Sequence, residues 1–141
     1  VTETEQGIIP MTDFPFEQYS VERHLRIGTG GGWVKPSTGY SFKNSEKNAR
    51  RIVHNLKTGK RVDEGLISRK FRWYDAIFLD VLHRHNAKGP ELFYTMYRKN
   101  PIQRIFAFLD DESTLTEDLQ IINGFPKAPF VRSFFRKNLG L

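Results

Sequence analysis

Gly28-Thr29-Gly30-Gly31-Gly32-Trp33-Val34-Lys35-Pro36-Ser37-Thr38-Gly39 is the stretch on which the reading of this chain turns. It is too rich in glycine for the interior of a helix or strand. Just upstream, His24-Leu25-Arg26-Ile27 alternates and predicts a short strand. Just downstream, the spacing predicts a helix from about Thr38 to about Leu56. Ser37 or Thr38 is its expected cap, because a side-chain oxygen there can accept from free first-turn N–H groups. Gly59 is its expected stop. Strand, glycine loop and capped helix together form a layout in which backbone amides approach an anion closely. Glycine removes the Cβ that would block a ligand, and the helix start offers free N–H groups with a partial positive charge. Taken alone, the pattern fits a plain glycine turn equally well. It is not the dinucleotide fingerprint, since Trp33 stands where G-x-G-x-x-G needs its last glycine, and no Gly-Lys-Ser/Thr follows to make a Walker loop.

Working outward, residues 1–12 read as a strand end with a turn at Gly7, and Pro10 keeps it off a central ladder position. Residues 13–23 read as a loop or a short strand pair. Beyond a linker from Lys60 to Gly65 the pattern is helical throughout. Phe71, Tyr74, Phe78, Val81 and Leu82 share a stripe, as do Leu92, Phe93, Met96 and Tyr97, and then Ile102, Ile105, Phe106 and Leu109. Pro90 and Pro101 suit first-turn positions. Leu115, Leu119 and Ile122 predict another helix, with Ser113 as its cap, and Phe130 to Phe135 a last one. In the first helix Ala49, Ile52, Val53 and Leu56 are expected to share the inner face. A short β region feeding a run of helices reads as α+β, or as part of a larger α/β protein. The expected division is residues 1–60, carrying the loop, and residues 61–141, a helical cap.

Composition narrows the chemistry. None of the 141 residues is cysteine, which excludes a disulfide framework, a thiol nucleophile and a Cys-based zinc site. The formal net charge is +6, unevenly placed. Residues 1–22 carry Glu3, Glu5, Asp13, Glu17 and Glu22 and no base, whereas residues 23–72 carry thirteen basic residues against Glu46, Asp63 and Glu64. A basic middle of this kind suits nucleic acid, anionic lipid, a phosphorylated cofactor or simply a solvated helix face. Most of the twelve phenylalanines fall between Phe71 and Phe135. They could fill a core, line an apolar pocket or dip into a membrane surface. No apolar run approaches the roughly 18 residues of a membrane span, and Val1 to Gly7 is acidic, unlike a signal peptide.

Three stretches in order carry a resemblance. Gly28 to Gly39, continued by Tyr40-Ser41, resembles the second flavin-binding motif of lycopene cyclases, a family grouped with flavin hydroxylases and geranylgeranyl reductases. Glu5-Gln6-Gly7-Ile8-Ile9-Pro10-Met11 resembles the Glu-x-Gly-x-x-Pro strand just upstream of it. The tail is similar to that of bacterial lycopene beta-cyclases at Trp73-Tyr74-Asp75, Val81-Leu82-His83, Arg98-Lys99-Asn100-Pro101 and Phe108-Leu109-Asp110-Asp111-Glu112. Pro36-x-x-Gly39-x-Ser41 alone is shared with the hydroxylases; the ordered set is more specific.

The resemblance implies an α/β flavoprotein of the hydroxylase-like FAD/NAD(P)-binding fold, with this chain its C-terminal portion: short strands, then a mostly helical tail. It implies an isomerase of carotenoid biosynthesis. A terminal double bond of lycopene is protonated, the tertiary cation closes a six-membered ring, and a proton leaves to give a β ring. Reduced FAD is the implied cofactor and NAD(P)H the reductant that keeps it reduced. Pro36, Thr38, Gly39, Tyr40 and Ser41 would set a helix start against the flavin ring; Gly28, Thr29 and Gly30 would approach its ribityl-phosphate part. The hydroxylases carry Asp where this chain has Thr29, which favours the cyclase branch. Pro10, Met11 and Trp33 would line the substrate cavity, where a ring face can stabilise a cation. The nucleotide-binding βαβ unit and the acidic motif thought to supply the catalytic carboxylate are not in this stretch. The chain is therefore expected to be a piece of a longer enzyme, inactive alone. The implied setting is cytoplasmic, on a peripheral membrane surface, with lycopene and related carotenoids as partners. Another FAD-dependent oxidoreductase of the wider group and a non-enzymatic basic lipid-binding module remain the alternatives.

Other candidates are weaker. His24, His54, His83 and His85 lack metal-ligand spacing, so no metal is expected; His83 and His85 point apart on a helix. Glu3 and Glu5 read first as a solvated face. Asp110-Asp111-Glu112 reads as a helix junction. Lys43, Lys47, Arg50, Arg51, Lys57, Lys60 and Arg61 lack interleaved aromatics and any reading motif, so no nucleic acid is expected; an anionic membrane surface suits them better.

Overall fold

The computed structural model describes residues 3–4, 6–8, 10–21 and 24–139. Six α-helices follow one another: α1 Phe42–Lys57, α2 Arg69–Arg84, α3 Gly89–Lys99, α4 Ile102–Leu109, α5 Leu115–Asn123 and α6 Lys127–Leu139. Short 3₁₀ turns occupy Phe16–Tyr19, Gly28–Gly31 and Asn86–Lys88. The expected strands are not formed among the described residues. His24 pairs only with Val21, as an isolated antiparallel bridge. The reason is the lack of a partner: a lone alternating segment has nowhere to place its backbone hydrogen bonds. Ile9 and Glu5, within the expected first strand, lie outside the described residues.

The core lies among α2 to α5. Phe71, Phe78, Val81 and Leu82 of α2 meet Leu92 and Met96 of α3, Ile105, Phe108 and Leu109 of α4, and Ile121 of α5. Phe125, after α5, closes the cluster. The edge of Phe78 meets Phe125 at 5.7 Å between centroids, and Phe125 stacks on Phe130 at 4.9 Å. Such offset and edge arrangements add roughly 0.5–1.5 kcal/mol each to area burial. Helix α6 packs back on α2. Ser133 Oγ donates to Ile77 O at 3.0 Å, and Arg136 pairs with Asp80.

Helix ends follow local chemistry. Gly59, at φ +67, lets Lys60 N reach back to Asn55 O at 3.0 Å and ends α1. Pro90 sits in the first turn of α3, but Pro101 is the N-cap of α4. Thr114, and not Ser113, caps α5. Its Oγ1 accepts from Glu117 N, and the Glu117 side chain accepts from Thr114 N, a full capping box. Ser113 is buried and gives its hydroxyl to Asp118.

Two faces differ from expectation. Leu115, Leu119 and Ile122 of α5 are exposed, while Asp118 and Ile121 face inward. Helix α1 buries Asn44, Asn48 and Asn55 and turns Val53 and Leu56 outward. The hydrophobic pattern therefore does not select the inner face of α1. Polar neighbours do: Asn55 Nδ2 donates to Val62 O at 3.2 Å and Glu64 O at 2.9 Å, holding the following linker.

Candidate functional site

The glycine stretch folds in three parts. Gly28–Gly31 is a 3₁₀ turn, followed by Gly32 in the left-handed region at φ +73. From Gly31 to Ser37 alternate residues point inward: Gly31, Trp33, Lys35 and Ser37 are buried, and those between are half-buried. The chain then turns tightly. Lys35 N donates to Tyr40 O at 2.7 Å, and Lys35 O accepts from Thr38 N at 3.2 Å and Gly39 N at 2.9 Å. Gly39 takes φ +73, which a side chain rarely adopts.

Helix α1 starts at Phe42, later than expected. Ser41 is the N-cap residue, and no side chain caps it. Thr38 Oγ1 accepts from Tyr40 N at 3.3 Å inside the turn, and Ser37 Oγ donates to Asp75. Both expected caps are thus committed elsewhere, and Ser41 gives α1 no side-chain cap. Burial pushes the Tyr40 phenol up and the Asp110 carboxylate adds to the effect, against a hydrogen bond from the Lys43 backbone in the first turn of α1, which lowers it.

The glycines do different work. A Cβ on Gly31 would lie 2.3 Å from Arg26 O, so packing within the chain demands glycine there. A Cβ on Gly28, Gly30 or Gly39 would meet nothing within 4 Å. The outer face of the loop and the turn is open where the resemblance puts a cofactor. Pro36 is half-buried and Thr29 exposed on the same stretch.

Behind the loop sits a polar cluster that the sequence reading did not single out. Lys35 is 1% exposed. Its Nζ donates to Asp111 Oδ1 at 2.7 Å and Asp75 Oδ2 at 3.2 Å, and lies 4.8 Å from the centre of the Phe108 ring. Asn44 Nδ2 reaches Asp111 Oδ2 at 3.4 Å. Burial raises the Asp75 carboxyl, against the lowering pull of Lys35 and Ser37, with Asp111 raising it further. A cavity of about 230 Å³ adjoins this cluster, bordered by Thr29, Gly32, Trp33, Asn44, Arg72 and Asp111 among others. Asn44 Oδ1 and Glu17 Oε2 are buried without a hydrogen-bond partner. Asp75 carried a signal in the sequence, being an acid at helical spacing between Phe71 and Phe78 on the apolar stripe. Lys35 and Asp111 lie in stretches that carry the family resemblance, but nothing local joins them, since their meeting spans 76 residues.

Of the three expected substrate residues, Pro10 and Trp33 border the polar cavity. Met11 lies apart, half-exposed, near Asp80, His83 and Lys137. The strongly apolar opening is elsewhere. A groove of about 380 Å³ runs between α2, α5 and α6, lined by Trp73, Ile77, Phe125, Phe130 and Phe134 among others. Among the described residues no group of three or more His, Asp or Glu could hold a metal. Nor is any described helix long and apolar enough to cross a membrane. Glu3 is exposed, and Glu5 lies outside the described residues.

A family model described as lycopene cyclase protein matches residues 1–135. No curated protein matches the chain, and neither does a solved structure. The match takes in the glycine loop, the buried Lys35 cluster and the aromatic helices together, and with it the chain belongs to the lycopene cyclase protein family.

Proposed function

We propose that this chain supplies the flavin-ring loop and a polyene-facing helical layer to a lycopene cyclase that closes the ψ ends of lycopene into β-ionone rings, in an α/β flavoprotein of the hydroxylase-like fold. The observation that supports this most is the open, uncapped turn at Gly39 to Phe42 inside a family match of this extent. Three local features fit a flavin: no Cβ obstructs Gly28, Gly30 or Gly39, Ser41 puts no side-chain cap on α1, and Thr29 offers a hydroxyl. Reduced FAD, kept so by NAD(P)H, supplies electron density beside the carbocation when bound.

The residues of this chain then have distinct tasks. Gly28, Thr29 and Gly30 approach the ribityl-phosphate part. Pro36, Thr38, Gly39, Tyr40 and Ser41 shape the turn that sets α1 against the ring. The α1 amides and their partial positive charge stabilise negative charge on the pyrimidine side, without reorganisation during the reaction. Trp33, with Pro10, belongs to the wall that excludes water from the end of the polyene; a π face there stabilises a cation by roughly 0.5–2 kcal/mol. The reaction is redox-neutral: the proton added to the terminal double bond is balanced by the proton lost after closure. The apolar groove between α2, α5 and α6 suits a hydrocarbon chain or the acyl layer of a bilayer, and we place the enzyme on a membrane surface facing the cytoplasm.

Gly30 gives the cleanest test. Its φ is outside the left-handed region and a Cβ there meets nothing within 4 Å, so Gly30→Val adds bulk on the open side of the loop. In the intact enzyme this variant is expected to lose at least tenfold in FAD affinity and in β-carotene formed from lycopene, with far-UV circular dichroism unchanged. Wild-type flavin content in Gly30→Val would show that the loop does not approach the cofactor.

A further inference from the structure

We infer that Asp75 and Asp111 are positioning residues for the flavin-ring turn, acting on it through Lys35 and Ser37. The inference rests on the proposed flavin reading. Lys35 belongs to two structures at once. Its main chain closes the Pro36–Tyr40 turn with three hydrogen bonds, to Tyr40 O and from Thr38 N and Gly39 N. Its side chain runs inward to Asp75 in the middle of α2 and to Asp111 after α4. Ser37, two residues on, is fixed to the other oxygen of Asp75. Moving either carboxylate therefore moves the turn that carries Gly39 and precedes the α1 amides.

The chemistry argues for placement over stability. A buried ion cluster is a weak stabiliser, because desolvation offsets most of the attraction and apolar residues of like volume hold a fold equally well. Here one ammonium meets two carboxylates, more charge than a stable core needs. Fixed geometry is what such a cluster adds, and the loop needs it, since glycines leave the stretch few side chains to anchor it. Asp111 carries a second mark. It takes φ 55, the left-handed position that ends α4: Glu112 N reaches Ala107 O at 2.8 Å and Asp111 N reaches Phe108 O at 3.3 Å. Glycine is the usual residue there. Aspartate is one of the few other residues that adopt this position, and here its oxygens are the ones that meet Lys35 and Asn44. Lys47 Nζ also donates to Asp110 O at 2.6 Å, which ties the first turns of α1 to the same junction.

Asp75→Asn and Asp111→Asn each leave Lys35 one carboxylate, so neither variant leaves it buried without an acid partner, and asparagine tolerates the left-handed conformation at 111. Both are compared with wild type and Gly30→Val in the intact enzyme. The FAD dissociation constant is measured, together with the visible-region circular dichroism of the bound flavin, which reports the asymmetry of the ring's surroundings. Far-UV circular dichroism and the urea midpoint report folding. The expected result is at least tenfold weaker FAD binding and an altered visible band in each folded asparagine variant. Wild-type affinity and visible band in folded Asp111→Asn overturn the inference, whatever the midpoint does, and that variant decides alone if Asp75→Asn does not fold. If the asparagine variants bind FAD normally while Gly30→Val does not, the flavin reading stands and the positioning role fails. If Gly30→Val binds FAD normally as well, both fail.

Discussion

Asp118 of α5 is buried and paired much as Asp75 of α2 is. It is fully buried, accepts from Lys70 Nζ at 2.9 Å and takes the Ser113 hydroxyl. Lys70 Nζ also donates to Ser113 O at 2.8 Å and lies 4.1 Å from the centre of the Phe71 ring. Removing the carboxylate strands a serine hydroxyl and a partly buried ammonium, whose partial exposure lets water recover some of the loss. Asp118→Ala is therefore expected to lower unfolding free energy by about 2–4 kcal/mol in urea. Gly31→Ala is expected to disturb the loop because its Cβ would strike Arg26 O, whereas Gly39→Ala meets only its own φ, at roughly 1–2 kcal/mol. These residue-scale roles were partly legible. An acid at i+4 within an apolar stripe points inward by geometry, which places Asp75 between Phe71 and Phe78, but its partners come from distant parts of the chain.

At the scale of elements, α5 and α6 are fastened by short-range chemistry that can be tested separately from the site. Thr114→Ala removes one half of the capping box and is expected to cost about 1 kcal/mol with no change in flavin binding. Asp80 joins α2 to α6. Burial opposes its charge, but hydrogen bonds from the Arg136 and Arg84 guanidinium groups outweigh that and hold its carboxyl down to about 2. A carboxyl depressed in the fold contributes stability that is full above its unfolded value near 3.8 and is lost as pH falls through about 2. Arg136→Met removes the main partner. The variant is expected to be less stable than wild type by on the order of 1 kcal/mol at pH 6, and the gap should narrow between pH 4 and pH 2, read by urea midpoints. Helix α1 shows the limit of pattern reading at this scale. Its apolar residues do lie together, but the neighbours that reach it are a polar cavity and the 62–64 backbone, so asparagines turn inward.

At the scale of the molecule, two surfaces stand out, the basic face of α1 and the aromatic groove. Lys43, Arg50 and Arg51 stand exposed on α1, while the aromatic groove opens between α2, α5 and α6. If the enzyme works at a bilayer, as proposed, basic side chains draw it to anionic headgroups at about 1 kcal/mol each near the surface, and the aromatic face meets the acyl layer. Co-sedimentation of the intact enzyme with vesicles is expected to rise with the fraction of anionic lipid and fall with salt. Binding indifferent to both would leave the basic stretch as a solvated face. Phe134→Asp, at the half-exposed rim of the groove, is expected to weaken vesicle binding severalfold while leaving FAD affinity at the wild-type value.

The sequence by itself determined the family, the helical tail and the glycine turn. Helical spacing, glycine and proline act over a few residues, and the ordered motifs are local strings. It also determined that α1 stops at Gly59, since a left-handed residue is needed there whatever the surroundings. Tertiary structure alone decided three things. The expected strands did not form, because a strand exists only with a partner and the described residues offer His24 a single bridge to Val21. Ser37 did not cap α1, because Asp75, 38 residues away, claimed its hydroxyl. The charge cluster behind the loop joined Lys35 to acids 40 and 76 residues distant. No local pattern encodes such a meeting: it follows from how α2 and the end of α4 pack, and only after that packing does a lysine in a glycine loop become the pivot of the site.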